Sequence, residues 1–218
     1  MKTLSATLAF LVLLTWGTVC RAGTITDACA ADDGDGMVKC AGIWDGPNQT
    51  MNIMGSQSGV PGHIGSQTLD STAYFTANGD PTVTLHTTID NDTGFAWTSF
   101  LVNVYMDQPF TLKLPAVSYG LTTEPGWSVA NLGTYPLTAT QLPASNEYIA
   151  SVTFIDGTPI PDTGDPDHPG TLDFSYKLTF SGSVHYCQEM IPVPEPSMLA
   201  LAFSGLVGLL VMRRKLAR

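Results

Sequence analysis

The feature that most constrains this chain is an uncharged apolar run near its C-terminus, residues 198–212. Its fifteen residues would span about 23 Å as a helix, less than the ~30 Å hydrocarbon core of a bilayer. Length alone leaves a helix buried in a folded core as an alternative. The run has no polar face, however, and Arg213, Arg214 and Lys215 follow it, with long side chains that can snorkel to the membrane interface. The sequence therefore predicts a single transmembrane helix that ends in a basic tail, residues 213–218.

The side chains expected to contact lipid in this anchor share a large apolar surface. They are Met198, Leu199, Leu201, Phe203, Leu206, Leu209, Leu210 and Val211. Because a charged residue at the centre of such a helix costs about 3 kcal/mol, a marginal anchor of this length is expected to tolerate none.

A Pro-Glu-Pro sequence, Pro194, Glu195 and Pro196, stands directly before the apolar run. The two prolines prevent a helix from continuing into the run from upstream, and Ser197 is a favourable N-cap for a new one. This motif, its spacing to the apolar run and the basic end together resemble the PEP-CTERM sorting signal of exported proteins of Gram-negative bacteria. An ordinary single-pass anchor with a coincidental Pro-Glu-Pro is the alternative.

The resemblance covers residues 193–215 and implies a partner enzyme. PEP-CTERM tails are handled by an exosortase, a membrane-embedded cysteine transpeptidase-like enzyme, so recognition of Pro194, Glu195 and Pro196 and processing near them are expected. Proteins of this kind often accompany exopolysaccharide and biofilm production. The expected partners are therefore the lipid bilayer, the exosortase and an extracellular polysaccharide.

The N-terminus has the parts of a secretory signal peptide, residues 1–22. Lys2 supplies the positive charge, an apolar stretch follows, and the small residue Ala22 precedes the expected cleavage site. We expect this helical signal to be removed and residues 23–190 to be exported as one ectodomain. Residues 191–218 then form the sorting and anchor segment, which holds the protein in the inner membrane before processing. After processing, the protein is expected at the cell surface or outside the cell.

The ectodomain has the alternation of β-strands. Leu172, Phe174, Tyr176, Leu178 and Phe180 alternate with polar residues, and the segments 83–89 and 100–106 behave similarly. Shorter candidates are 37–44, 49–54, 71–77, 110–114 and 148–156, with Gly, Pro, Asn and Asp clusters between them. The predicted fold class is all-β: a single antiparallel β-sandwich, flanked by the signal-peptide helix and the transmembrane helix.

The ectodomain is strongly acidic. Residues 23–192 contain three lysines against eighteen acidic residues, a net charge of −15. Such a surface repels nucleic acid, which excludes it as a partner, and could gather divalent cations. Two acidic loops are candidates for calcium: residues 32–36, and a loop with Asp162, Asp165 and Asp167. Neither matches the EF-hand pattern, so solvated turns are the simpler interpretation and no cofactor is expected otherwise.

Three cysteines remain after removal of the signal peptide: Cys29, Cys40 and Cys187. Export to an oxidising compartment permits a disulfide. A bond between Cys29 and Cys40 closes the shortest loop, worth about 3 kcal/mol in the chain-entropy model, and is the predicted pairing. Cys187 could instead pair with either, and one thiol is left over.

Motifs for catalysis are weak. The segment 55–59 has the spacing of a nucleophile elbow but a glutamine, Gln57, at its centre, and the histidines show no metal-ligand spacing.

The phrase Asn-x-Thr-Gly-x-x-Trp ending at Trp97 resembles one in exported PEP-CTERM sandwich domains. Trp97 is expected in the core, and an aromatic ligand platform is the alternative. The prediction is a surface or extracellular-matrix protein that is not an enzyme. A carbohydrate-binding β-sandwich module is the alternative, followed by a hydrolase on the same fold.

Overall fold

The structure is a computed structural model that describes residues 23–66, 69, 72–114, 128–130, 136–162 and 170–194. It contains these strands: β1 (Thr24–Cys29), β2 (Val38–Asp45), β3 (Thr50–Gln57), β4 (Gly62–Ile64), β5 (Tyr74–Asn78), β6 (Thr82–Asn91), β7 (Trp97–Met106), β8 (Phe110–Lys113), β9 (Ser128–Val129), β10 (Leu137–Thr138), β11 (Thr140–Gln141), β12 (Tyr148–Ile155), β13 (Thr171–Phe180) and β14 (Val184–Pro194). This described part of the chain includes no helix of the length and apolar character that a membrane crossing requires. The predicted signal-peptide helix in 1–22 and the predicted transmembrane helix in 198–212 lie outside the described residues.

The strands form two sheets. Sheet A has the order β1-β5-β14-β7-β12-β11, with β4 added to β14 and β9 added to β12. Sheet B has the order β10-β8-β13-β6-β3-β2. The predicted all-β class is thereby confirmed, and both sheets are rich in antiparallel pairs, as the predicted antiparallel sandwich requires.

One strand pair departs from the antiparallel prediction. β3 and β6 run parallel, in register from Thr50 with Thr84 to Gln57 with Asn91. The chain leaves β3, forms β4 and β5 in sheet A, and only then returns to sheet B as β6. A crossover of this kind lets neighbouring strands point the same way, whereas a tight hairpin requires them to be antiparallel.

Alternation along the strands places one face of each sheet in the core. In β13 the side chains of Leu172, Phe174, Tyr176 and Leu178 are fully buried, as the sequence pattern predicts. Burial of a side chain of this size contributes about 1.5–3 kcal/mol relative to exposure. The alternation therefore fixes which face of β13 points inward.

Aromatic rings join the two sheets. Phe100 of β7 and Phe154 of β12 lie 6.0 and 5.8 Å from the ring of Phe174 in β13, measured between centroids. Trp97 is fully buried and packs on Phe100 with a centroid distance of 5.2 Å. The prediction that Trp97 belongs to the core is confirmed, so it offers no platform to a ligand.

The last strand, β14, lies in the middle of sheet A. It pairs with β7 on one side and with β5 and β4 on the other. Sequence patterns did not predict a strand as long as Val184–Pro194 here, because two prolines interrupt it. The predicted boundary between ectodomain and sorting segment, 190/191, lies inside this strand.

Candidate functional site

The C-terminal strand carries the fold directly into the Pro-Glu-Pro sequence. β14 pairs with β7 as far as Pro194, opposite Trp97, with a bulge between Val193 and Pro194. The hydroxyl of Thr98 donates to the carbonyl oxygens of Val193 and Pro194, each at 3.3 Å. The first proline of the motif is therefore held by the sandwich, while Glu195 and Pro196 lie outside the described residues.

Prolines are compatible with this strand because its C-terminal end has a partner strand on one side only. β4 pairs with β14 only from Gln188 to Met190, and within the described residues no strand lies on that side of Pro192 or Pro194. Proline cannot donate to a sheet ladder and is confined to such edges. The edge position therefore allows the strand to continue into the sorting motif.

The residue at the centre of the elbow-like segment has a structural role. Gln57 is fully buried, and its Nε2 donates to the carbonyl oxygens of Gly59 and Met190 at 2.9 and 3.1 Å. The second of these bonds joins the end of β3 in sheet B to β14 in sheet A. Gln57 thus braces the strand that leads to the tail.

A row of polar residues crosses the outer face of sheet A. In register on four neighbouring strands stand His63 of β4, Glu189 of β14, Asn103 of β7 and Ser151 of β12. Asn103 Nδ2 donates to Glu189 Oε2 at 2.7 Å, and Ser151 Oγ donates to Asn103 Oδ1 at 2.6 Å. The Tyr105 hydroxyl also donates to Glu189 Oε2, at 3.0 Å. We call His63, Glu189, Asn103 and Ser151 the polar row.

An acidic loop covers one end of the polar row. In this loop between β1 and β2, Asp33 Oδ1 accepts from the amide of Asp35 at 3.1 Å, and Asp35 Oδ1 accepts from the amide of Met37 at 2.7 Å. Gly34 and Gly36 have φ angles of 81° and 83°, which favour glycine. These turns leave the Oδ2 atoms of both aspartates directed to the polar row.

The loop and the polar row meet at His63. The Nδ1 atom of His63 lies 3.7 Å from Asp33 Oδ2 and 3.8 Å from Asp35 Oδ2, while its Nε2 atom lies 3.4 Å from Glu189 Oε1. The side chain of His63 is 5% exposed, and those of Asp33 and Glu189 are 15% and 13% exposed. Burial raises the pKa of the Asp33 carboxyl above its ordinary value, and the nearby Asp35 carboxylate adds to that rise. Three carboxylates therefore surround one imidazole with little water.

The sequence singled out only part of this cluster. Asp33 and Asp35 belong to the predicted calcium loop, but His63 and Glu189 come from distant strands, and no local spacing connects them. In the second candidate loop, Asp162 Oδ1 accepts from the amide of Gly94 at 3.1 Å. Asp165 and Asp167 lie outside the described residues, so calcium at that loop stays a prediction.

The Asn-x-Thr-Gly-x-x-Trp phrase forms a structural clasp. Asn91 Oδ1 accepts from the amide and the hydroxyl of Thr93, at 3.0 and 2.7 Å. Thr93 Oγ1 in turn accepts from the indole Nε1 of Trp97 at 2.8 Å. The phrase therefore closes the β6–β7 turn and satisfies the one polar atom of the buried indole.

The predicted Cys29–Cys40 disulfide is not formed, because Cys29, Cys40 and Cys187 are free thiols in the structure. Ala31 forms an antiparallel bridge with Ala41, so Asp32 lies opposite Cys40. Cys29 is three residues away from Asp32 along the strand, and therefore out of register with Cys40. Three residues of strand correspond to about 10 Å, beyond the ~7 Å between Cα atoms that a disulfide can bridge. The register of the chain, invisible in cysteine spacing, therefore separates the two thiols.

Comparison with known proteins identifies the tail. A family model of the PEP-CTERM protein-sorting motif matches residues 192–215, which begin inside β14 and include the predicted basic stop. No curated protein and no solved structure matches the chain. The motif implies export, membrane association, processing by an exosortase and a final place at the surface or outside the cell. The chain therefore carries the PEP-CTERM protein-sorting motif at its C-terminus, as the resemblance of Pro194, Glu195 and Pro196 indicates.

Proposed function

We propose that this chain is a non-catalytic surface or matrix protein whose β-sandwich is delivered by its tail. In this proposal, residues 1–22 direct export and residues 198–212 hold the protein in the inner membrane until an exosortase processes it near Pro196. The observation that carries the proposal is the direct passage of β14 from the core into the matched motif at Pro192 and Pro194.

The short distance between fold and membrane supports this role. Only three residues separate Pro194 from Met198, a reach of at most about 14 Å. The sandwich is then held close to the bilayer, and the exosortase meets its motif just beyond the hydrogen bonds from Thr98. Release or transfer at this point would deliver an intact sandwich, since the cut would fall at the end of its last strand.

The structural roles of the other residues that the sequence singled out support a non-catalytic function. Gln57 braces two strands, and Trp97 is fully buried. Trp44 is half-buried and packs against the core, with its ring 6.3 Å from that of Phe75. An extracellular polysaccharide remains a predicted partner, and binding of the purified protein to a polysaccharide array tests it.

A single charge in the anchor tests membrane attachment. We expect Leu206→Asp to move the protein from the membrane pellet to the soluble fraction, because an aspartate near the centre of the helix costs about 3 kcal/mol. The matched control is Leu206→Val, which should remain in the pellet. Retention of Leu206→Asp in the membrane after carbonate extraction would show that residues 198–212 are not the anchor.

Mass spectrometry of the mature C-terminus tests processing. In a host with an exosortase, the chain is expected to end near Pro196, and in the same host without that enzyme it should retain residues 198–218. Replacing Glu195 by Ala should reproduce the unprocessed form. A full-length C-terminus in the presence of the exosortase would contradict the proposal.

A further inference from the structure

The cluster at the end of the polar row has the geometry of a metal site. One oxygen each of Asp33 and Asp35 and one nitrogen of His63 all lie within 4.8 Å of one another. A tetrahedral ion bound at about 2.0–2.2 Å from each donor would place them roughly 3.4 Å apart. The observed separations of 3.7 and 3.8 Å from His63 Nδ1 are within a few tenths of an ångström of that value.

Glu189 orients the imidazole of His63 for this purpose, through the ring nitrogen that does not face the two aspartates. Its Nε2 atom faces Glu189 Oε1 at 3.4 Å, and Glu189 Oε2 is itself fixed by Asn103 and Tyr105. Assigning the ring proton to Nε2, next to its carboxylate acceptor, leaves the lone pair of Nδ1 directed at Asp33 and Asp35. A carboxylate behind a histidine is the arrangement that orients metal-ligating imidazoles and raises their basicity.

A bound cation would balance the charges of the cluster. A lone pair and two carboxylate oxygens converge on one point, with the side chains of His63 and Asp33 only 5% and 15% exposed. The distances of 3.7 and 3.8 Å are too long for hydrogen bonds from a protonated ring to either aspartate. A divalent ion between the three donors would offset the repulsion between the two carboxylates.

The loop is arranged before any ion binds. The Oδ1 atoms of Asp33 and Asp35 are occupied by backbone amides, so each aspartate presents Oδ2 in a fixed direction. The side chain of Asp35 is 38% exposed, which leaves a way in for the ion and room for water as a further ligand. A pre-formed set of three protein ligands with an open position is typical of zinc sites that bind water.

We propose that Asp33, Asp35 and His63 bind one divalent transition-metal ion of the Zn²⁺ class, with Glu189 as the residue that positions His63. The nitrogen ligand selects this class over calcium. Ca²⁺ takes six to eight oxygen ligands, whereas this cluster supplies one imidazole nitrogen and two carboxylates. The site therefore differs from the calcium loop that the sequence of residues 32–36 suggests.

The test uses the full-length protein in detergent, stripped of metal with a chelator that is then removed. Co²⁺ added to this protein should give visible absorption bands at one equivalent, and Zn²⁺ should abolish them. Ca²⁺ at millimolar concentration should leave the bands unchanged. Loss of the bands on addition of Ca²⁺, or no bands at all in the wild type, would overturn the proposal.

Variants separate this cluster from other donors in the chain. Asp35→Asn, at the most exposed of the three ligands, and His63→Gln should each weaken Zn²⁺ binding at least about 100-fold, and Glu189→Gln about 10- to 100-fold while retaining the Co²⁺ bands. The matched control is His86→Gln, a histidine of sheet B with a carboxylate neighbour, which should bind as the wild type does.

Folding of each variant is checked without metal by its melting curve. Asp35→Asn, which is partly exposed, is expected to melt as the wild type does, so its affinity decides the outcome if His63→Gln does not fold. Unchanged Zn²⁺ affinity in folded Asp35→Asn would show that the ion binds elsewhere, and would leave the proposed role of the C-terminal motif untouched.

Discussion

Two histidines stand on the outer faces of the two sheets in different surroundings. His86 of sheet B is 36% exposed, and its Nε2 lies 3.3 Å from one carboxylate oxygen of Asp173. His63 of sheet A is 5% exposed and lies between Glu189 and two loop aspartates. The same residue type on the same kind of face thus makes a partly exposed contact with one carboxylate in sheet B and belongs to a buried cluster in sheet A.

The difference comes from what covers each sheet. The loop between β1 and β2 lies beside β4, where Gly65 donates its amide to the carbonyl oxygen of Ala31 at 2.7 Å and Asp32 is bridged to Ile64. This reduces the access of water to the end of the polar row, and electrostatic interactions strengthen as water is removed. The contact of His86 with Asp173, whose imidazole is 36% exposed, is expected to contribute only about 0–1 kcal/mol. The loop that covers sheet A, and not the residue type, therefore determines which histidine lies in a buried cluster of charged groups.

The largest expected effect concerns Cys40, which follows the covering loop. Burial, reinforced by the carboxylates of Asp32 and Asp33, raises the pKa of Cys40 to about 12. Because the thiolate is the reactive form, we expect alkylation of Cys40 at pH 8 to be about a thousandfold slower in the native protein than in urea. Peptide mass spectrometry after iodoacetamide treatment measures both rates. Equal rates would mean that the loop does not shield this side of the molecule.

The next effect breaks the polar row itself. Asn103 is 8% exposed and joins Glu189 to Ser151. Asn103→Ala should lower the free energy of unfolding by about 2–3 kcal/mol, since it removes one hydrogen bond to the Glu189 carboxylate and one to Ser151. The matched control on the outer face of sheet B is Ser175→Ala, expected to change it by less than about 0.5 kcal/mol. Urea unfolding followed by tryptophan fluorescence measures both, and equal losses would remove the distinction between the faces.

The smallest effect is expected at the exposed histidine. His86→Gln should change the free energy of unfolding by less than about 0.5 kcal/mol, because its imidazole is 36% exposed and its contact with Asp173 is screened by salt. Urea unfolding at low and high ionic strength measures this. A loss of more than about 1 kcal/mol that disappears at high salt would show that sheet B also depends on its outer-face charges.

The regular strands were predictable because their information is local. The alternation in β13 and β6 places every second side chain in the core, and the bounds differ from prediction by a residue or two. The fold class needed only this repetition of buried faces, separated by turn residues.

The features that were missed depend on distant parts of the chain. The parallel pairing of β3 and β6 results from a crossover through sheet A, and β14 tolerates Pro192 and Pro194 only because one of its sides is an edge. The separation of Cys29 from Cys40 results from the register of the chain around Ala31 and Ala41. None of these follows from spacing in the sequence.

The sequence by itself determined the sorting signal and the all-β fold class of this protein. The Pro-Glu-Pro motif, the apolar run and the basic end are contiguous, and strand alternation is periodic, so both are legible without a fold. Only the tertiary structure decided where His63 and Glu189 meet the aspartates of the β1–β2 loop, because 126 positions separate that histidine from its carboxylate partner. Strand register brings such residues together, and no local pattern encodes it.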